Sequence, residues 1–202
     1  MGIAERKQRQ REEVYASILQ AAWQLVEKEG WQALSIRKIA DAIEYSVPVI
    51  YDHFENKEAI LTVFTKRGFN LLSDELLKAK ADHETPATQL EAMAYAYWNF
   101  AFSNPQYYQL MYGMGMPGCD AVGSMPELQR FTGSLKDVIE KMLPDSNDKG
   151  NLVFLKLNSF WSMLHGLVSI NMLGKKETPH EHDMGIMILK DFIKSFINGL
   201  QG

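Results

Sequence analysis

The sequence predicts an all-α protein of about nine helices, with a short N-terminal domain ahead of a longer C-terminal one. Apolar residues recur with a period close to 3.6 along nearly the whole chain, and no stretch alternates as a strand would. Capping residues stand just before several apolar runs, and some are followed by proline, which suits the first turn of a helix. Together these observations favour a fold without a sheet.

The first 57 residues contain the starts of four predicted helices. The first helix is expected to end at Gly30, because its apolar positions share one face up to that glycine. Ser35 and Ser46 are expected to cap two short helices, which a turn at Glu44-Tyr45 joins. Asn56 is expected to cap a longer fourth helix.

The rest of the chain predicts five further helices separated by Gly- and Pro-rich loops. A glycine within one of them, Gly166, predicts close helix packing, since glycine in mid-helix costs about 1 kcal/mol relative to alanine. The predicted elements are helices opened by Thr85-Pro86 and Asn104-Pro105, a loop at 113–123, helices at 126–143 and 151–173, a loop at 175–181 and a helix at 184–200.

Charge and cysteine content limit the class of protein. The formal charge of −4 lies in residues 73–202, whereas residues 1–72 are balanced. A basic arm, residues 1–11, carries one acid against four cations, which hints at an anionic partner for this end: Arg6, Lys7, Arg9 and Arg11. The single cysteine, Cys119, can form no internal disulfide, and no Cys/His set has zinc spacing, so we expect a cytoplasmic protein without metal or cofactor.

Two uncharged stretches, 92–119 and 157–174, invite comparison with membrane-spanning segments. The first is interrupted by two Pro-containing breaks, and the second has 18 residues with several polar side chains. A spanning helix needs about 20 predominantly apolar residues. We therefore interpret both as buried helices and expect no membrane partner.

Residues 35–54 predict two short helices joined by a tight turn, which is the geometry of a helix-turn-helix whose second helix enters a DNA major groove. The segment 18–61 resembles the DNA-binding domain of the tetracycline-repressor (TetR) family of bacterial transcription regulators. The residues that carry the resemblance are Ile39-Ala40, Ser46, Ile50-Tyr51-Asp52-His53-Phe54, Asn56-Lys57-Glu58 and Leu61.

The resemblance implies a DNA-binding domain at 1–57 and an effector-binding and dimerisation domain at 58–202. It assigns Tyr51 and Lys57 to phosphates and Arg37 to a guanine. It places His53 near the DNA backbone. The full implied DNA-binding set is Ser35, Arg37, Ser46, Val47, Pro48, Val49, Tyr51, His53 and Lys57.

Two positions depart from the pattern that the resemblance implies. Glu44 stands where family members usually have glycine, which adopts a left-handed backbone without steric cost. Glu44 therefore either bears that cost or the turn differs slightly. Pro48 replaces a common small residue. Since Val47, Pro48 and Val49 offer no hydrogen-bonding side chains, any base readout through them is apolar, such as contact with thymine methyl groups.

Aromatic side chains are concentrated in residues 92–119, which predicts either an aromatic core or a pocket for a small hydrophobic or aromatic effector. The resemblance favours the pocket, and the Trp161, His165 and Gly166 spacing resembles one subgroup of the family. His165 then offers a polar contact in the pocket or is a core histidine. The predicted effector residues are Trp98, Phe102, Tyr108, Tyr112, Trp161 and His165.

The sequence therefore favours a homodimeric repressor that a small effector releases from a palindromic operator in double-stranded DNA. The alternatives are an architectural DNA-binding protein or an activator without effector control, while an enzyme is disfavoured because no catalytic spacing is present. The run at 180–183 (His-Glu-His-Asp) is interpreted as a polar loop rather than a metal site. The apolar helices 151–173 and 184–200 are predicted to form a two-fold interface.

Overall fold

The computed structural model describes residues 2–113, 125–173 and 179–201. Within these ranges the chain is helical without a strand, which confirms the predicted all-α class. The elements are α1 (Ile3–Glu29), a short 3-10 helix (Trp31–Ala33), α2 (Ile36–Ala42), α3 (Val47–Tyr51), α4 (Lys57–Ala81), α5 (Pro86–Ser103), α6 (Pro105–Met111), α7 (Pro126–Met142), α8 (Lys149–Leu173) and α9 (Pro179–Gln201).

Three predicted elements differ from the structure or lie outside it. The basic arm is helical, because α1 begins at Ile3 and the Gly2 backbone N–H donates to the Glu5 carboxylate over 2.8 Å. The run at 180–183 is in the first turn of α9 rather than in a loop, since Pro179 opens that helix. Most of the predicted 113–123 loop, including Cys119, lies outside the described residues.

The chain divides into two compact units. Unit 1 is Met1–Gly68 with Gln106–Asp120, and unit 2 is Phe69–Pro105 with Ala121–Gly202. Helix α4 contributes its first half to unit 1 and its second half to unit 2. The functional division at residue 57 stays a prediction.

Unit 1 is built on one hydrophobic core to which α1, α2, α3, α4 and α6 all contribute. Helix α6 is fastened to this core by aromatic contacts: the Trp31 indole N–H donates to the Gln106 carbonyl over 2.7 Å, and Trp23 stacks on Tyr107 at 4.3 Å. A Cβ at Gly68 would lie 2.5 Å from Met111 Sδ, so the close approach of α4 and α6 requires a glycine. The helix-turn-helix elements therefore share one closely packed core with α1, α4 and α6.

Unit 2 packs α5, α7, α8 and α9 together with the second half of α4. The close approach is at Gly185, where a Cβ would lie 2.6 Å from Trp98 Cη2 and 2.9 Å from Asn171 Oδ1. The prediction of close packing at Gly166 is wrong, because a Cβ there would meet no atom within 4 Å. No helix in the described part of the chain is long and apolar enough to span a membrane.

Candidate nucleic-acid interface

Helix α2 begins at a side-chain cap. The Ser35 hydroxyl accepts a hydrogen bond from the Lys38 backbone N–H over 3.2 Å, which confirms the predicted cap. In the first turn, Lys38 is paired with Glu29 at 2.6 Å, and the hydrogen bond from Lys38 holds the pKa of the Glu29 carboxyl below its usual range. Arg37 beside it is exposed, and the ion pairs found among the described residues do not include it. Its guanidinium is therefore available to an external anion.

The turn between α2 and α3 is a helix-ending motif closed by two backbone hydrogen bonds. The Tyr45 N–H donates to the Ala40 carbonyl over 3.0 Å, and the Glu44 N–H donates to the Asp41 carbonyl over 3.3 Å. Glu44 has φ of 58°, and no other non-glycine residue in the described ranges has a positive φ. The turn thus keeps the backbone of a glycine turn and places a glutamate at its strained position.

Helix α3 is anchored by Ile50, which is fully buried. The other side chains of the helix are either half-buried or exposed. Val47 and Val49 are half-buried and pack against the core of unit 1, whereas Pro48 and Tyr51 are exposed, Tyr51 at 53%. Of the predicted groove-facing stretch Val47 to Val49, the structure therefore exposes chiefly Pro48.

Ser46 holds the N-cap position of α3 with an exposed side chain, but it makes no side-chain cap hydrogen bond, so this predicted cap is wrong. Because Pro48 lies within the first turn, one of the N–H groups that a cap would satisfy is missing. The Ser46 hydroxyl is left exposed at the start of the helix.

The segment after α3 leads into α4 and holds the last two predicted DNA contacts. His53 is half-buried with its ring 6.4 Å from that of Tyr15. Asn56 accepts a hydrogen bond from the Ala59 N–H over 2.8 Å, which confirms the predicted cap of α4. Lys57 follows as the first residue of α4 and is half-buried.

One exposed aromatic side chain in this region, Tyr45, is not among the predicted DNA contacts. Tyr45 is 46% exposed and stands between the strained Glu44 and the start of α3. The sequence signal for it was an aromatic residue within a predicted polar turn, Glu44-Tyr45. Together Arg37, Tyr45, Pro48 and Tyr51 form an exposed set, the recognition face, on the α2–α3 segment.

The six predicted effector residues divide between the two units. Tyr108 and Tyr112, whose rings lie 4.7 Å apart, are in unit 1. In unit 2, Trp98 is 2% exposed, packs on Phe102 at 4.6 Å and lies against Gly185.

The other pair of predicted effector residues lies on α8 in unit 2. Trp161 meets Phe131 edge-on at 5.5 Å, and the Ser169 hydroxyl lies 3.4 Å from His165 Nε2. Burial lowers the pKa of His165, which favours the neutral ring. A neutral, half-buried histidine is compatible with both the pocket and the core interpretation.

Unit 2 also contains a large cleft that the sequence did not predict. The cleft measures about 740 Å³ and is lined by the second half of α4 and by α5. Its walls include Glu75, Asp82, Glu91 and Tyr95, and burial, followed by the charge of Glu91, raises the pKa of the Tyr95 hydroxyl. This volume falls within the range of small-molecule sites. None of the six predicted effector residues lines it.

Among the described residues, helices α8 and α9 expose seven large apolar side chains, which are together called the α8–α9 face. Phe154 is 70% exposed and Ile170 is 71% exposed, and an apolar groove of about 500 Å³ runs between the two helices past Gly166. The exposed members of this face are Phe154, Leu155, Met163, Ile170, Met184, Met187 and Ile188.

The described residues contain no group of three or more His, Cys, Asp or Glu that could hold a metal ion.

Comparisons with known proteins agree with this geometry. A family model described as "Bacterial regulatory proteins, tetR family" matches residues 18–64, and one described as "Tetracyclin repressor-like, C-terminal domain" matches residues 90–188. An uncharacterised HTH-type transcriptional regulator of Mycobacterium tuberculosis, Rv0681, is 27% identical over 78% of this chain and 70% of its own length. The Transposon Tn10 TetC protein of Escherichia coli is 24% identical over 90% of this chain and 91% of its own.

Solved structures show the same fold. A regulatory protein named SCO4313 superposes with a TM-score of 0.74 at 22% identity and covers 95% of this chain and 98% of its own. The TetR family regulator PfmR of Thermus thermophilus superposes with a TM-score of 0.60 at 18% identity, over 90% of this chain and 97% of its own.

Proposed function

The chain belongs to the tetracycline-repressor family of DNA-binding transcriptional regulators, and on that premise we propose that it is a repressor that binds a palindromic operator as a homodimer and leaves it when a small hydrophobic effector binds. The observation that carries the proposal is the recognition face: Arg37 and Tyr51 are exposed on two short helices that rest on a fully buried core. A closely packed support of this kind suits a reader of base edges and phosphates.

The proposed DNA contacts keep the positions that the resemblance implies, and among these Arg37, Ser46, Pro48 and Tyr51 are exposed. Arg37 is assigned to a guanine, because a guanidinium can donate two hydrogen bonds to guanine O6 and N7. Tyr51, Lys57, Ser35 and Ser46 are assigned to phosphates, with His53 near the DNA backbone. Pro48 supplies apolar contact, and Val47 and Val49 chiefly hold α3 on the core.

The α8–α9 face supports the proposed homodimer. Large exposed apolar patches mark association sites, and the seven apolar side chains of this face are the kind of surface that such a site would bury. A second copy of the same face is a self-complementary partner for it across a two-fold axis. Such a dimer presents two recognition faces to half-sites one helical turn apart, about 34–36 Å.

We place the effector in unit 2, where two locations compete. The first is the predicted aromatic set, of which Trp98, Phe102, Trp161 and His165 are in unit 2 and Tyr108 and Tyr112 in unit 1. Because Trp98 is tightly packed, a ligand at this location must displace its ring. The second is the open cleft against Tyr95. The second half of helix α4 lines the cleft, and the same helix begins at Lys57, directly after the helix-turn-helix. A ligand in the cleft would therefore contact the helix that follows the helix-turn-helix.

Operator selection tests the DNA-binding part of the proposal. Full-length protein is used to select duplexes from a randomised library, and the enriched sequence is then measured for affinity. We expect an inverted repeat whose half-site centres are about 10 base pairs apart. Enrichment of bent or AT-rich DNA without a repeat would favour an architectural protein, and no enrichment would overturn DNA recognition.

Effector release is tested on the selected operator. A panel of aromatic compounds and fatty acids is screened for thermal stabilisation, and each stabilising compound is titrated into the protein–operator complex. We expect a loss of operator affinity of roughly 5- to 150-fold, the usual range of allosteric coupling. The variants Trp161→Phe, in the aromatic set, and Tyr95→Phe, in the cleft, distinguish the two locations. Only the variant at the true location should lower the affinity for the stabilising compound.

A further inference from the structure

Helix α1 continues well past the core of unit 1. Its first buried residue is Val14, and each residue from Gly2 to Glu13 is exposed. Since α1 starts at Ile3, about three helical turns, roughly 16 Å at 1.5 Å per residue, extend beyond the core. This segment, residues 3–13, is here called the α1 extension.

The extension has a cationic side that continues the buried side of the helix. Lys7, Arg11, Val14 and Ile18 are spaced by four, three and four residues, so they lie along one line of the helix surface. Val14 and Ile18 on this line are in the core, whereas Lys7 and Arg11 are exposed. A helix normally turns apolar residues toward its partner. Here the same line of the helix carries two exposed cations instead.

Contacts with the end of α3 fix where this cationic line lies. Arg11 Nη2 donates to the backbone oxygen of Asp52, the C-cap of α3, over 3.4 Å. One turn toward the core, Tyr15 stacks on Phe54 at 5.0 Å with 19° between the rings. Lys7 is one turn in the opposite direction, so it lies just past the end of the helix that carries the recognition face.

The acidic residues of the extension, Glu5, Glu12 and Glu13, are in none of the ion pairs found within the described ranges. Glu5 accepts from the Gly2 N–H, and Glu12 accepts from the Gln8 amide over 2.7 Å. The ion pairs found in the described part of the chain include neither Lys7 nor Arg11.

We propose that Lys7 and Arg11 are a second DNA contact, outside the helix-turn-helix, which binds the phosphates of the duplex beside the recognition face. The inference rests on the proposed DNA-binding function. The extension is expected to raise the affinity for DNA without changing the sequence preference, because phosphates carry no base information.

The test is a salt titration of operator binding by full-length Lys7→Ala. Each phosphate contact contributes about −0.9 to the slope of log affinity against log salt, so the slope should become shallower by about 0.9 for each bound protomer. Affinity at 0.1 M salt should fall about eightfold per protomer for every operator sequence. Lys7→Arg should restore most of the loss, since it keeps the charge.

Lys28→Ala is the matched control, because Lys28 is an exposed lysine in the last turn of the same helix. Circular dichroism checks that the extension remains helical, which is expected since alanine is the best helix former. If the wild-type protein binds its operator and Lys7→Ala retains the slope and affinity of Lys28→Ala, the inference is wrong. A wild-type protein that binds no duplex would instead overturn the proposed function itself.

Discussion

In unit 1 the recognition face exposes Arg37, Pro48 and Tyr51, whereas in unit 2 the α8–α9 face exposes Phe154, Ile170 and Met187. The first is small and holds a cation and polar rings on helices of five and seven residues. The second is broad and apolar on two long helices. This contrast is the reason for proposing two partners of different chemistry: a polyanion for one face and another apolar surface for the other.

The largest expected effect comes from placing charge on the α8–α9 face. The double variant Ile170→Asp with Met187→Asp should raise the dimer dissociation constant by at least about 100-fold, because carboxylates would be buried against apolar side chains. Sedimentation velocity at micromolar concentration measures the change. Leu71→Asp, at an exposed leucine of α4, is the control and should remain dimeric. If the double variant stays fully dimeric, the dimer interface is not the α8–α9 face.

On the recognition face, Arg37→Ala should cost about 1–3 kcal/mol of operator binding and relax the preference at one base position. Lys57→Ala, by comparison, should weaken all sequences alike and make the salt slope shallower by about one unit. Competition binding with a panel of single-base operator variants distinguishes the two. A uniform loss for Arg37→Ala would reassign this residue to a phosphate.

The turn between the two recognition helices gives a smaller effect. Glu44→Gly should stabilise the fold by about 1 kcal/mol, since glycine adopts the left-handed backbone without the Cβ clash. Urea unfolding measures the change. Glu44→Ala keeps the Cβ, so it should give no such gain, although both variants remove a negative charge and should improve DNA affinity. Equal stabilisation by alanine and glycine would contradict backbone strain as the cause.

The smallest effect is expected inside unit 2, away from both faces. Asp137 accepts hydrogen bonds from Lys80 and from Lys141, and these hold the pKa of its carboxyl below the usual range. Asp137→Asn should cost less than about 1 kcal/mol at pH 7, because the carboxyl is partly solvent-exposed.

The pH dependence follows from the direction of that pKa. The stabilisation is fully present above the unfolded-state pKa of an aspartate, about 3.9, and is lost as the pH falls through the lower folded-state pKa. The difference in urea midpoint between wild type and Asp137→Asn should therefore shrink at low pH. Asp145→Asn is the control, since that carboxylate is fully exposed and should change little at either pH. A constant difference down to pH 2.5 would assign the stabilisation to packing instead.

The helix starts and the turn at Glu44 depend on local chemistry, so much of the helical fold could be predicted from the sequence. The caps at Ser35, Asn56 and Thr85 were predictable because a capping side chain bonds to a backbone N–H only two or three residues away. The resemblance left two alternatives at Glu44, a left-handed backbone with a steric cost or a slightly different turn, and the φ of 58° is that of the first.

Tertiary packing decided the features that depend on distant residues. On α8 and α9 the apolar pattern does not say which side is buried. Phe160 and Leu189 are in the core of unit 2, while Leu155, five residues before Phe160, and Ile188, next to Leu189, are exposed. Likewise, sequence could not reveal that Gly185 rather than Gly166 meets a neighbouring side chain, since the contact is with Trp98 of another helix. Hydrogen bonds within a turn are set by adjacent residues, whereas burial is set by whichever helices the whole chain brings together.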